Sequence, residues 1–563
     1  MTTAHPRRSG AQVLIDQLRI HGTDTIFGVP GESYLAALDA LYAQRNSIRY
    51  VICRQEGGAA NMAEAYGKLT GKPGVCFVTR GPGATNASIG LHTGFQDSTP
   101  MILLVGQVGR EQFDREAFQE IDYRRMFGQM AKWVAQIEDA RRIPELVSQA
   151  FHRALNGRPG PVVLALPEDM LTDEVEVADA GPYKIARGAP SAADMATLRG
   201  MLAEAKQPMV ILGGGGWSRE ACADMAAFVE ANGLPVTTAF RNQDLLDNRH
   251  PNFVGDLGIG VNPPLGKRLK DSDLILAIGP RLGEATTGGY TLFDLPVPKQ
   301  PLVHVHASAE ELGRVYQAAL PINSGMANFA VAARAMKPVD GSRWKANLEG
   351  ARADYLKNIE PNEQPGAVNV TEIVAWLNKR LPDDAIVTNG AGNYAAFLHR
   401  FFQYRGFKSQ LAPTSGAMGY GVPASVAAKI TAPHRMVVSF AGDGCFLMNG
   451  QEFATAVQHG ANVVIVVVDN GMYGTIRMHQ EREYPTRVHG TELRNPDFAA
   501  YARAFGGHGE TVDKTADFAA AFERAVAAAK PAIIHLKTDP EALTSRITLS
   551  KLREQSLARQ KLN

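Results

Sequence analysis

A chain of 563 residues exceeds what one hydrophobic core can organise, so two to four domains are expected. Its 58 basic and 57 acidic side chains nearly cancel, which argues against nucleic acid or an anionic membrane as the main partner, and 45% hydrophobic residues is ordinary for a globular protein. Four cysteines without metal-type spacing, no signal pattern in MTTAHPRRSG, and no apolar run near the ~20 residues of a membrane span point to a reduced, cytoplasmic protein.

Along the chain, short apolar runs alternate with helical patterns. IRYVIC, GVCFVT, PMILLVG and GPVVLALP come first, then PMVILGG, LILAIG and PLVHVHA, and finally AIVTNG, MVVSFAG, NVVIVVV and AIIHLK. They are β-branched and apolar on both faces, as strands covered by helices on either side must be. The alternation predicts parallel α/β sheets. Two stretches read as linkers: VADAGPYKIARGAPSAAD, rich in Ala, Gly and Pro, and NIEPNEQPGAVNV, which carries two prolines with acidic and amide residues. The expectation is three doubly wound α/β domains, over residues 1–185, 186–365 and 366–563.

The segment FAGDGCFLMNGQEFATAVQHGANVVIVVVDN carries the clearest chemistry. Asp443 ends one buried run, NGQEFATAVQHG reads as a helix closed by Gly460, and Asn470 ends the next run. The 27 positions from Asp443 to Asn470 match one βαβ crossover, which places both residues at the same sheet edge, where α/β proteins bind ligands. A carboxylate and an amide oxygen suit a hard cation such as Mg²⁺, which commonly keeps phosphate oxygens in its shell. Gly442 and Gly444 allow close approach of an anion to the backbone, and a helix starting after them adds free N–H groups. The physical reading is a diphosphate held by a divalent cation.

This segment resembles the GDG…NN signature of thiamine-diphosphate-dependent enzymes, with Asp469 where the first Asn is common and Asn470 retained. The resemblance implies Mg²⁺ held by Asp443, Asn470 and the main-chain oxygen of Met472, with Gly442, Gly444, Cys445 and Tyr473 beside the cofactor. It also implies a second constellation at the cofactor's reactive end. In RQEGGAANMAEAYGKLTG, Glu56 matches the glutamate that hydrogen-bonds the aminopyrimidine ring, work suited to a carboxyl raised toward neutrality in an apolar cleft. RGPGATN supplies Pro82 and Asn86, and FGVPGE supplies Pro30 and Gly31, the latter toward substrate. TSGAMGYGVPAS places Gly416 and the ring-propping Met418, and TNGAGNYAAF places Gly392 and Asn393 near the diphosphate. The likeness spans pyrimidine-binding, middle and diphosphate-binding domains in that order. It implies a homodimer or homotetramer, because head and tail of one cofactor are gripped by different subunits.

Within the family the chain looks most like the acetolactate synthase and pyruvate oxidase branch. Gln119 and Lys132 match residues that act at the synthase's substrate, and Phe118 and His479 match its pocket; His479 stands where the synthases carry a Trp. The implied reaction is decarboxylation of a 2-oxo acid such as pyruvate, followed by addition of the resulting carbanion to a second carbonyl. GPRLGEATTG retains Arg281 but lacks the acidic pair of the flavin-associated segment, so the resemblance leaves FAD open. A 2-oxo acid or acyl-CoA decarboxylase, or an oxidase, is the alternative inside the family. Outside it, a nucleotide-linked oxidoreductase is disfavoured because ILGGGGWSRE lacks a full GxGxxG. A non-catalytic scaffold is disfavoured because it has no use for Glu56.

Overall fold

A computed structural model of the chain describes residues 5–561, so the first four residues of MTTAHPRRSG lie outside it. The chain divides into two units. The first comprises residues 1–186 together with two segments from much later in the chain, 422–433 and 449–461; the second holds the remainder.

Three six-stranded parallel sheets are present among the described residues. In the first unit the strands stand in the order Arg49–Ile52, Thr25–Gly28, Gly74–Val78, Met101–Gln107, Pro161–Pro167, Trp133–Gln136. Numbered along the chain, that is 2-1-3-4-6-5. In the second unit, the sheet between Ile386 and Lys537 repeats the order 2-1-3-4-6-5, and the sheet between Pro208 and Asn323 has the order 3-2-1-4-5-6. An antiparallel ribbon joins Arg7–Ser9 to Glu174–Glu176.

Every apolar run read from the sequence is a strand, and the α/β class holds for all three sheets. The residues alternate between faces as a twice-covered sheet requires. In the strand Pro208–Leu212, Val210 and Leu212 enter one core with Phe228 and Phe329, whereas Met209 and Ile211 enter another with Leu265 and Tyr316. Beyond the two ribbon strands, seven strands of the parallel sheets were not foreseen: Thr25–Gly28, Trp133–Gln136, Val236–Thr238, Phe253–Asp256, Leu320–Asn323, Gln410–Leu411 and His508–Val512. They are two to five residues long, and several are edge strands with polar or exposed positions, such as His508–Val512.

The NGQEFATAVQHG expectation needs correction. Helix begins at Asp443 itself and runs to Asn449, breaks at Gly450–Gln451, and resumes over Glu452–Gln458. Gly460 follows the cap residue His459 with φ +62°, the left-handed conformation glycine adopts without strain.

Candidate active site

In an open parallel sheet, ligands bind where strand order reverses, at the carboxyl ends. In the first unit the reversal lies between Thr25–Gly28 and Gly74–Val78, with Arg49–Ile52 beside them. Pro30 and Gly31 follow the first of these strands, Arg80 to Pro82 the second, and Glu56 follows the third. Glu56 starts the helix Glu56–Thr70, capped by the Gln55 side chain accepting the Gly58 N–H at 3.1 Å. The helix Gly81–Asp97 lies against it because small residues allow contact: a Cβ on Gly90 would sit 2.5 Å from Ala60, and one on Gly57 would sit 3.1 Å from the Asn86 carbonyl. This approach brings Asn86 Nδ2 to Glu56 Oε2 at 2.9 Å, while Glu56 Oε1 faces Gly83. Glu56 is half-buried, and Pro30, Pro82 and Asn86 are exposed.

The loop after Met101–Gln107 carries Phe118 and Gln119. Asp114, Glu116 and Gln119 all adopt positive φ, at 60°, 54° and 68°. Such backbone costs of order 1–3 kcal/mol per residue and persists only where surroundings enforce it. Here Glu120 accepts the Asp114 and Ala117 N–H groups, Gln107 donates to the Ile121 carbonyl, and the Gln119 carbonyl accepts the Gly81 N–H at 3.0 Å. The loop is thereby tied to the turn that carries Pro82. Phe118 projects from it, 72% exposed. Lys132 Nζ donates to the Asn156 carbonyl at 2.8 Å, and its stem packs on Gly160.

In the second unit the strands Val437–Gly442 and Val464–Asp469 are parallel neighbours, with Gly442 opposite Val468. Asp443 and Asn470 therefore emerge at one edge, as the crossover spacing predicted. Asp443 is 4% exposed. Its Oδ1 accepts the Gly444 N–H, and its Oδ2 accepts Gly471 N–H at 3.0 Å and Asn495 Nδ2 at 2.7 Å. The same two donors serve Asp469 Oδ1, at 3.0 and 2.8 Å, so the two carboxylates share one pair of N–H groups. Asp469 Oδ2 is held by His535 Nε2 at 2.7 Å and Lys537 Nζ at 2.9 Å. Burial opposes ionisation of both acids, but His535, Lys537 and Asn495 hold Asp469 well below the usual carboxylate range, whereas Asp443 is pushed upward. Asn470 Oδ1 accepts the Met472 N–H at 3.2 Å, which closes the turn containing the Met472 carbonyl.

The two glycines of this site have a local reason as well. A Cβ on Gly442 would lie 2.7 Å from the Tyr394 ring, and one on Gly444 would lie 2.6 Å from the Tyr473 ring. Tyr394 Oη and the Gly419 N–H both reach Cys445 Sγ, at 3.1 and 3.2 Å, joining the Gly416–Met418 turn to the GDG turn. Gly416 has φ +69° and Gly392 φ +143°, both glycine conformations, and Met418 packs half-buried against the core. Asn393 and Thr475 bond reciprocally at 3.0 Å, fastening the helix Asn393–Phe401 to Gly474–Glu483. His479, on that second helix, is exposed and accepts a hydrogen bond from Arg482 at Nδ1.

Sequence reasoning missed Asn495, His535 and Lys537, which lie 26 to 68 positions from Asp469 and carry no local motif. It also missed Glu452, a carboxylate with no exposed surface bonded to backbone N–H groups next to Glu56. Its signal in the sequence was a single acidic residue in the helix Glu452–Gln458, EFATAVQ.

The donor set at the GDG turn, a carboxylate, an amide oxygen and a backbone carbonyl, fits a hard divalent cation beside a diphosphate. At the middle sheet the reversal lies between Pro208–Leu212 and Leu274–Ile278. There Gly214, with φ +70°, turns across the neighbouring strand end, where a Cβ would meet the Gly279 carbonyl at 2.0 Å. Trp217 Nε1 bonds back to the Gly213 carbonyl. The glycine turn there packs directly on the end of the neighbouring strand.

Family sequence models match the chain in three consecutive parts. They are the thiamine pyrophosphate enzyme N-terminal TPP binding domain over residues 8–126, the central domain over 195–332, and the C-terminal TPP binding domain over 390–536. With a parallel sheet and its switch-point residues in each of the flanking parts, the chain belongs to the thiamine pyrophosphate enzymes. Within them it is similar over most of its length to acetolactate synthase large subunits. That of Corynebacterium glutamicum is 31% identical over 542 residues, covering 93% of this chain and 86% of the relative. That of Parasynechococcus marenigrum is 32% identical over 518 residues, covering 88% and 82%. The isozyme 2 large subunit of Escherichia coli is 29% identical over 537 residues, covering 94% and 96%.

Proposed function

We propose that the chain is a carboligase that decarboxylates a 2-oxo acid such as pyruvate and joins the remaining acyl fragment to a second carbonyl. Bound thiamine diphosphate supplies the electron sink for breaking and forming these carbon–carbon bonds. The protein's part is binding, orientation, exclusion of water and proton handling.

Asp443, Asn470 and the Met472 carbonyl would hold Mg²⁺. Gly442, Gly444, Cys445, Tyr473, Gly392 and Asn393 would line the diphosphate, and Gly416 and Met418 the rings. Pro30, Pro82 and Asn86 stand at the edge that carries Glu56. Asn86 fixes Oε2 of Glu56, so Oε1 is the oxygen offered to a pyrimidine nitrogen, where it would hold or accept a proton. Gln119 and Lys132 are assigned with Glu56 to catalysis, and Gly31, Phe118 and His479 to the substrate pocket. Domains over 1–185, 186–365 and 366–563, a cytoplasmic homodimer or homotetramer, and active sites completed between copies belong to the same reading. The same reading leaves FAD open.

The observation that carries the proposal is the pairing of Asp443 with the Asp469–Met472 turn through shared N–H donors at the ends of adjacent parallel strands. The acetolactate synthase relatives support the choice of reaction. The test supplies pyruvate and other 2-oxo acids to protein loaded with thiamine diphosphate and Mg²⁺, measuring CO₂ release and carbon–carbon bond formation separately. Both should appear in step. Release of CO₂ with no ligated product would overturn the carboligase in favour of a decarboxylase or oxidase.

A further inference from the structure

Glu452 has no exposed surface, yet among the described residues its carboxylate is held by backbone N–H groups and a hydroxyl rather than by a lysine or arginine side chain. Its Oε1 accepts the backbone N–H groups of Arg54 at 3.1 Å and Gln55 at 3.0 Å, and its Oε2 accepts the Thr455 hydroxyl at 2.6 Å and the Arg54 N–H at 3.3 Å. The Arg54 guanidinium turns away to Gln458 at 2.6 Å. Gly58 makes room for this arrangement, because a Cβ there would stand 2.5 Å from Glu452 Oε1. Burying a carboxylate is costly: burial pushes the Glu452 carboxyl up to about 6, against the hydrogen bonds from Thr455, Arg54 and Gln55 and the charge of Arg54. A core position would be better filled by leucine or methionine unless the two bonded N–H groups matter.

Those N–H groups belong to the two residues before Glu56. Gln55 is the cap of the helix Glu56–Thr70: its carbonyl accepts the Ala59 N–H and its side chain accepts the Gly58 N–H. Rotation at residues 54 and 55 would therefore swing Glu56 away from Asn86. We infer that Glu452 is a positioning residue for Glu56, its carboxylate locking the turn that aims Glu56 at the cofactor ring. The inference rests on the catalytic reading of Glu56 given above.

The test compares Glu452→Asp, which keeps the charge but withdraws it by one methylene, with Glu452→Gln, which keeps an oxygen where both N–H groups converge. In cofactor-free protein, amide hydrogen exchange over residues 53–59 should accelerate about tenfold in the Asp variant and stay near wild type in the Gln variant, as loss of two N–H acceptors implies. In protein loaded with thiamine diphosphate, exchange of the thiazolium C2 proton with deuterium, and kcat, should fall about tenfold in the Asp variant and recover in the Gln variant, with KM and cofactor affinity little changed. Wild-type exchange at 53–59 with wild-type C2 exchange in Glu452→Asp would overturn the inference. So would accelerated exchange spread evenly over the first unit, the mark of a merely structural role. Glu56→Gln is measured alongside. If that variant keeps the wild-type C2 rate, the reading of Glu56 fails; if it loses the rate while Glu452→Asp does not, only the role of Glu452 fails.

Discussion

Glu481 offers a quantitative test of how the C-terminal helix is held. Its carboxylate has no exposed surface and receives Arg553 Nε and a terminal nitrogen at 2.8 and 2.6 Å, Arg477 at 3.1 and 2.9 Å, and the Thr486 N–H at 3.2 Å. Arg553 comes from the helix Leu549–Gln560 and Glu481 from Gly474–Glu483, so this cluster fastens the two helices. The bonds from Arg553, ahead of the others, press the Glu481 carboxyl from 4.5 down to about 2. That displacement corresponds to about 3 kcal/mol, reduced to roughly 2 because a third of the Arg553 side chain remains in solvent. Glu481→Gln should then accelerate amide exchange in Leu549–Gln560 about thirtyfold at pH 7. The folded value is depressed, so the stabilisation is complete above pH 4.5 and is lost as pH falls toward 2; about two-fifths of it remains at pH 3. Exchange within threefold of wild type at pH 7, or a variant-to-wild-type difference as large at pH 3 as at pH 7, would refute the reasoning.

Three further outcomes are expected. Glu56→Gln should bind thiamine diphosphate within a few-fold of wild type while kcat falls about 10²-fold or more, and Asn86→Ala, which frees Glu56 Oε2, should give a smaller loss without changing cofactor affinity; wild-type turnover in the first removes Glu56 from the reaction. Gly444→Ala drives a methyl group against the Tyr473 ring, so it should cost about 1–3 kcal/mol of stability and release Mg²⁺-dependent cofactor on gel filtration, and unchanged retention would mean that the turn relaxes freely. Glu452 has a folded value raised from 4.5 to about 6, so it lowers stability by about 2 kcal/mol as pH rises through that interval; Glu452→Gln should flatten that part of the pH–stability curve, and parallel curves for variant and wild type would contradict it.

What the sequence made legible follows from range. Runs such as NVVIVVV and GPVVLALP announce buried parallel strands because both faces are apolar within a few residues. Asp443 and Asn470 were legible because a crossover turns 27 positions of chain into adjacency at one edge. Asp469 could be seen as a departure from the family pattern, but not what neutralises it, because His535 and Lys537 arrive on the next strand of the sheet, Ala532–Lys537. Edge strands such as Gln410–Leu411 were invisible because they are too short for periodicity and depend on their neighbours for partners.

The repeated strand order explains why two of the three sheets carry the candidate residues. In the order 2-1-3-4-6-5 the reversal falls between the first and third strands, and both copies place glycine-containing turns and a helix start at that point. The first copy sets Pro30, Gly31 and Pro82 there, with Glu56 on the adjoining strand end; the second sets Gly392 and Asp443, with Asn470 adjoining. One edge thus offers an acid beside exposed apolar groups, and the other offers hard oxygens beside backbone N–H groups. The middle sheet has a different order, and at its reversal Gly214 packs over the Gly279 carbonyl. A side chain at Gly214 should therefore lower the middle sheet's stability, read as faster amide exchange in Pro208–Leu212, without touching the residues assigned to the cofactor.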